Sequence, residues 1–273
     1  MELLLLREVL VIAATAIAAW TDWKTGNIYD WLTYPLIAIG VVLNLIELNF
    51  LGLGLGAGVF AIGYLLYYTG RLGGGDVKLF AGITMALPFL QGKVYIIPVL
   101  LYSALIAVMF FSVYYTVKLA RLKKLELKEN SKGIFNAAII AIALAAYFYM
   151  VGSTGLFEMQ SIYIIGVPIA FALLFLAFEK SIRKNFFVKK IALSKLEEDE
   201  LIAWEFLPEK LQKKLGLKAK RIIDKQLLQE LKKEKLKEVL VYRDLPKFAP
   251  FILIGAILAI LRPEIIAIAL KPW

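Results

Sequence analysis

Apolar runs of spanning length, broken by short polar turns, dominate the first two thirds of the chain. A helix that crosses a bilayer needs about 20 apolar residues, within a range of roughly 17–25. On that measure residues 3–20, 31–48, 51–70, 95–117, 134–151 and 162–178 predict spanning helices. Residues 77–90 predict a shorter span and 248–270 an interrupted last one, giving eight candidates. Arg7 and Glu8 break the first run near its start, and more spans follow it. It therefore reads as a membrane helix and not as a removable signal peptide. Gly52, Gly54, Gly56, Gly58 and Gly63 in the third run read as small residues that let helices pack closely.

Between 179 and 247 the pattern turns polar. Residues 189–196 predict a strand, and 208–215 and 219–239 predict helices, the second with Ile222, Ile223, Leu227, Leu231, Leu236 and Leu240 near helical spacing. The expectation is an all-α polytopic membrane protein with six to eight spanning helices and a small cytoplasmic α or α+β domain. Its parts are a membrane-embedded core over 1–178, a basic cytoplasmic domain over 179–247 and a C-terminal transmembrane helix over 248–273.

Composition agrees with that pattern. Hydrophobic residues make up 60% of the 273, and the mean hydropathy is +0.74, against roughly 45–50% apolar content in soluble domains. Cys and His are both 0. Disulfides, thiol nucleophiles, thiolate zinc sites and histidine proton relays are thereby excluded. Any acid–base chemistry must use Asp, Glu, Lys or Tyr.

The net charge is +10, and the distribution of the basic residues sets the orientation. With the N-terminus outside and the spans alternating, the inside segments are 21–30, 70–78, 118–133 and 179–247. They hold 1, 2, 6 and 19 Lys+Arg, which is 28 of the 32. Only Arg7, Lys93, Arg262 and Lys271 remain for the outside and the spans. Basic residues gather on cytoplasmic loops, so both termini are expected outside. The lysines of the polar region read as a solvated face that also meets anionic headgroups, and no nucleic-acid partner is expected.

Ionisable residues at membrane depth are expensive and are functional candidates by default. Asp22 follows the first span, in Trp20-Thr21-Asp22-Trp23-Lys24, and Asp76 opens the fourth, in Gly73-Gly74-Gly75-Asp76-Val77-Lys78. The charge count places both at cytoplasmic helix ends. Two packed helices could bring these carboxyls together, where two aspartates a few ångströms apart share a proton. One then takes a proton from water while the other polarises a scissile carbonyl, hydrolysing a peptide bond without Ser, Cys, His or metal. Gly73, Gly74 and Gly75 would admit a substrate backbone and permit unusual dihedrals. Two ordinary readings stand beside this one: an interfacial ion pair for Asp22 with Lys24, and a helix cap for Asp76.

At these residues the sequence resembles the type IV prepilin peptidases. Gly73-x-Gly75-Asp76 with Lys78 is similar to their GxGD signature, and Asp22-x-Lys24-x-x-x-Ile28 to their first-aspartate motif. The archaeal branch, which includes preflagellin (prearchaellin) peptidases, fits best. The likeness covers about residues 10–90 and returns at Leu245-Pro246-Lys247-Phe248-Ala249-Pro250-Phe251. It implies a membrane aspartic endopeptidase with Asp22 and Asp76 catalytic, which removes a short basic leader from type IV pilin-like or archaellin precursors at the cytoplasmic membrane face. No metal or organic cofactor is implied. Tyr29 stands where bacterial members have Pro. Without cysteine the chain is expected to lack the module that methylates the new N-terminus.

Lys24 and Lys78 either tune or orient the aspartates, or snorkel to headgroups and enforce topology. Tyr29-Asp30 also imitates the Tyr-Asp motif of presenilin-like and signal-peptide-peptidase-like proteases, although no Pro-Ala-Leu sequence accompanies it. From other classes, a transporter with a charge-coupled aspartate pair and a structural subunit of a pilus or archaellum machine both remain open. For a basic leader, Glu197, Glu198, Asp199 and Glu200 form the acidic cluster of interest, against a solvated helix start.

Overall fold

The computed structural model describes residues 2–153, 159–197, 200–207, 212, 222–223, 225–233, 238–243 and 245–262. Five helices open the chain: α1 (Glu2–Thr25), α2 (Asp30–Ile46), α3 (Phe50–Tyr68), α4 (Gly74–Ala86) and α5 (Ile96–Arg121). A hairpin of β1 (Phe89–Leu90) and β2 (Lys93–Val94) joins α4 to α5. Next come α6 (Ser131–Ser153) and α7 (Met159–Ile182), then β3 (Val188–Ala192), β4 (Leu201–Ile202), α8 (Lys225–Lys233) and β5 (Glu238–Tyr242). The described chain ends with α9 (Ala249–Leu261).

Among the described residues, five helices are long and apolar enough to cross a membrane: α1, α3, α5, α6 and α7. The shorter α2 and α9 are also apolar. The mostly helical, polytopic architecture expected from the apolar runs is present. Residues 77–90 are a correction. Their helix, α4, is only 13 residues long, and 89–90 turn into the hairpin, with Gln91 and Gly92 at positive φ. From Leu79 to Ala86 every residue of α4 is buried, because α4 packs on α1, α2, α3 and α5. Its apolarity answers to protein on all sides.

α1 carries one buried stripe at spacings of three and four: Arg7, Val11, Ala14, Thr15, Ala18 and Asp22. That stripe faces α2, α4 and α9, and the periodicity puts a charged residue at each of its ends. At about 1.5 Å per residue the two ends lie roughly 22 Å apart. The main core joins Val11, Ala14 and Ala18 with Leu36, Leu79, Phe80, Ile83, Val99, Ile252 and Ala256. α9 lies against α5, where a Cβ on Gly255 would stand 2.7 Å from the Val99 carbonyl. The Tyr95 hydroxyl donates to the Ala256 carbonyl at 2.8 Å across the same contact.

Of the five glycines in α3, Gly52, Gly56 and Gly63 are buried. A Cβ on Gly56 would stand 2.5 Å from the Met85 sulfur, and one on Gly63 2.7 Å from Val77. Gly54 and Gly58 meet nothing within 4 Å, so close packing accounts for three of the five.

In the polar region β3, β5 and β4 form an antiparallel sheet with β5 in the centre. Its own core brings Ile191, Ile202, Ile223, Leu227, Leu231, Val239 and Val241 together. The strand expected at 189–196 is present as Val188–Ala192. Of the helix expected over 219–239, the described residues form α8, while Val239 and Leu240 belong to strand β5. Burial along β5 alternates, the period of a strand with one face on a core. The helix expected at 208–215 lies outside the described residues, apart from Gln212.

Candidate active site

Asp22 sits in the last turn of α1, at the end of the buried stripe. Gly26 terminates that helix: its φ is +75°, and its N–H bonds the Asp22 carbonyl at 2.8 Å. Glycine adopts this left-handed conformation at little cost, which makes it the common residue just past a helix end. Asp22 is 7% exposed. Its Oδ2 accepts the Ala249 N–H at 3.0 Å. Asp22 therefore caps the N-terminus of α9 from a different helix, where a carboxylate complements the free N–H groups and the dipole.

Asp76 is the third residue of α4, with Gly73 as the preceding cap. Its carboxyl turns back towards the Gly73 N–H and lies within reach of the Asp22 charge. The glycines acquire a concrete role here. A Cβ on Gly73 would stand 2.9 Å from Asp76 Oδ2. One on Gly75 would stand 2.9 Å from the Ile28 Cβ and 3.2 Å from the Ile28 carbonyl oxygen, and one on Gly74 would meet the Tyr67 ring at 3.4 Å. Gly75 thus receives Ile28, the last residue of the Asp22 motif, so the two motifs touch. Dihedral freedom is not what these positions use: Gly73 has φ −71°, and the positive-φ glycines are Gly26, Gly70 and Gly92. The requirement is space.

Both motif lysines point elsewhere. Lys78 Nζ donates to Asp30 Oδ1 at 2.5 Å and lies 4.8 Å from the centre of the Tyr34 ring. This contact joins the first turns of α2 and α4, and the Asp30 side chain is 56% exposed. Lys24 Nζ lies 3.9 Å over the Trp20 ring. Of the acidic cluster, Glu200 pairs with Arg243, while Glu198 and Asp199 lie outside the described residues.

Lys247 lies in the Leu245–Phe251 stretch of resemblance, but the sequence assigned it no role at the site. Its ammonium donates to the Trp23 carbonyl and lies 5.8 Å from the centre of the Trp23 ring, where its charge reaches Asp22. Within the sequence it was one of 19 basic residues of the polar region. The available signal was its place two residues before an apolar run that opens with Ala249-Pro250.

Residues 9–113 match the model of the type IV leader peptidase family. They hold both aspartates, both motifs and nearly all of α1 to α5. Among curated proteins, the chain is similar to prepilin peptidase EppA of Methanothermobacter thermautotrophicus, with 39% identity over 93 residues. That alignment covers 31% of this chain and 24% of the relative, so about a quarter of the relative's length is spanned. No solved structure matches. The likeness to prepilin peptidases read from the two motifs is borne out over this region.

Proposed function

We propose that the chain is a membrane aspartic endopeptidase that cuts the short basic leader from type IV pilin-like or archaellin precursors and does not methylate the new N-terminus. The observation that carries the proposal is that Asp22 and Asp76, from two helices whose motifs touch at Gly75 and Ile28, lie at one end of the same core within reach of each other's charge. A like-charge pair is costly there, and such pairs cluster at functional sites.

The surroundings divide the labour. The Ala249 N–H and the nearby Lys247 ammonium favour a carboxylate at Asp22, so we assign Asp22 as the base and Asp76 as the acid. Asp22 takes a proton from a water molecule as its oxygen attacks the scissile carbonyl carbon. Asp76 gives its proton to the carbonyl oxygen, forming a neutral tetrahedral diol. Collapse of the diol returns a proton to Asp76, transfers the Asp22 proton to the leaving nitrogen and breaks the C–N bond.

A cytoplasmic membrane face is the setting we assign. Exposed Trp20, Trp23, Trp31 and Tyr34 cluster at the end of α1 and the start of α2, as interfacial aromatic belts do. Lys24, Arg71, Lys78, Lys118 and Arg121 lie at or near the corresponding helix ends, which supports an N-terminus outside. In this setting the sheet and α8 face the cytoplasm. The presenilin-like alternative would need Asp30 at the pair, whereas Asp30 meets Lys78.

The test is cleavage of a pilin-like precursor by the full chain in membranes, read by mass spectrometry. The expected product is a single cut between leader and hydrophobic helix, with an unmethylated new N-terminus. An uncut precursor would reject the peptidase reading, and a methylated product would reject its second part.

A further inference from the structure

We propose that Lys247 is the positioning residue of Asp22, holding the end of α1 against the start of α9 so that the Asp22 carboxyl is fixed for chemistry. The inference rests on the peptidase reading above and goes beyond its two motifs.

The geometry is a reciprocal cap. The last carbonyls of α1 have no partner within their own helix, and the first N–H groups of α9 have none within theirs. Lys247, just ahead of α9, donates its ammonium to the Trp23 carbonyl of α1. Asp22, one residue earlier in α1, accepts the Ala249 N–H of α9 at 3.0 Å. Each helix thus supplies what the other's end lacks, and the charges have the favourable signs: a cation at a C-terminus and a carboxylate at an N-terminus. The two contacts bridge 224 and 227 residues of sequence. Together they hold the α1 backbone beside Asp22 on one side and the Asp22 Oδ2 on the other. Lys24 does not duplicate this role, because its ammonium is over Trp20.

This positioning has a chemical use. A catalytic carboxylate displaced by about 1 Å loses roughly 100-fold in rate, and Asp22 stands in the last turn of α1, where helices fray. The link also ties the site to the small sheet, since Tyr242, the end of β5, stands five residues before Lys247.

The experiment compares Lys247→Met, Lys247→Gln and Lys247→Arg with Asp22→Asn and Asp76→Asn in the full chain reconstituted in liposomes, using a pilin-like precursor. The expected result is a kcat lower by roughly 10- to 100-fold for Lys247→Met, with KM within about twofold. Lys247→Arg should regain most of the rate, because a guanidinium still donates to the Trp23 carbonyl. If Lys247→Met does not accumulate, Lys247→Gln carries the comparison, since it removes the charge and its amide stops one atom short of the lysine's reach to the Trp23 carbonyl; its kcat should also fall with KM unchanged. A wild-type kcat in Lys247→Met, a loss confined to KM, or Lys247→Arg as slow as Lys247→Met would overturn the proposal. Normal cleavage by Asp22→Asn and Asp76→Asn would instead mean that the peptidase reading has failed, and the role of Lys247 with it. Dead aspartate variants beside a fully active Lys247→Met would overturn the Lys247 assignment alone.

Discussion

The two ends of the buried stripe on α1 treat charge in opposite ways. At one end Arg7 is buried, donates to the Ala86 carbonyl at 2.6 Å and pairs with Glu47 at 2.8 Å. Asn44 sits beside it, bonded to the Gly40 and Met85 carbonyls, so the C-terminus of α4 is closed by donors from α1 and α2. The buried charge there, Arg7, has an opposite partner in Glu47, which is how a structural ionic site is expected to look. At the other end the same helix presents Asp22 to a second acid, Asp76, at the N-terminus of the same α4. The nearby cation, Lys247, bonds a backbone carbonyl and forms no ion pair with either acid. One helix pair thus holds a neutralised end and an end where two acids lie within reach of each other's charge. The contrast separates a fastening from a candidate reaction centre.

That contrast can be broken or sharpened by substitution. The largest effect is expected for Asp76→Asn: cleavage should fall by roughly 10²- to 10⁴-fold, the usual contribution of a general acid or base, with thermal unfolding in detergent no earlier than in the wild type. Arg7→Met should do the reverse. It strips the Ala86 carbonyl of its donor and leaves Glu47 unpaired, costing about 2 kcal/mol of stability while the folded fraction keeps its cleavage rate. A drop in rate without a drop in stability would dissolve the distinction between the two ends.

Smaller effects come from the contact between the motifs. Gly75→Ala should cost about 1–3 kcal/mol through overpacking against Ile28, and Ile28→Ala in the same chain should recover much of it. Additive losses in the double variant would remove Ile28 as the reason for glycine at 75. Asp30→Asn removes the exposed pair with Lys78 and should cost less than about 1 kcal/mol, with cleavage retained. Loss of cleavage there would revive the Tyr29-Asp30 alternative.

Much of the fold was legible because long apolar runs leave few choices: α1, α2, α3, α5, α6 and α7 fall within a few residues of the runs that predict them. Reading failed where one pattern serves two environments. The apolarity of α4 looks the same whether lipid or protein surrounds it, so its length was overrun into the hairpin at Phe89. Leu236 and Leu240 continue the spacing of α8, yet Glu238–Tyr242 is a strand, because Val239 and Val241 pair their burial at period two. At the site, Asp22 and Asp76 were visible as isolated acids at helix ends with recognisable neighbours. The partners of Lys24, Lys78 and Lys247 were not, since a flexible lysine stem reaches whichever ring, carboxylate or carbonyl the folded chain brings near, here across as many as 224 residues.

The most direct test of the central claim, that Asp22 and Asp76 act as one unit, is a double-substitution cycle on precursor cleavage. Residues that share one chemical step are grossly non-additive. The rates of Asp22→Asn, Asp76→Asn and the double variant should therefore all fall to about the same residual level. Losses that multiply in the double variant, or wild-type cleavage in either single one, would contradict the pair.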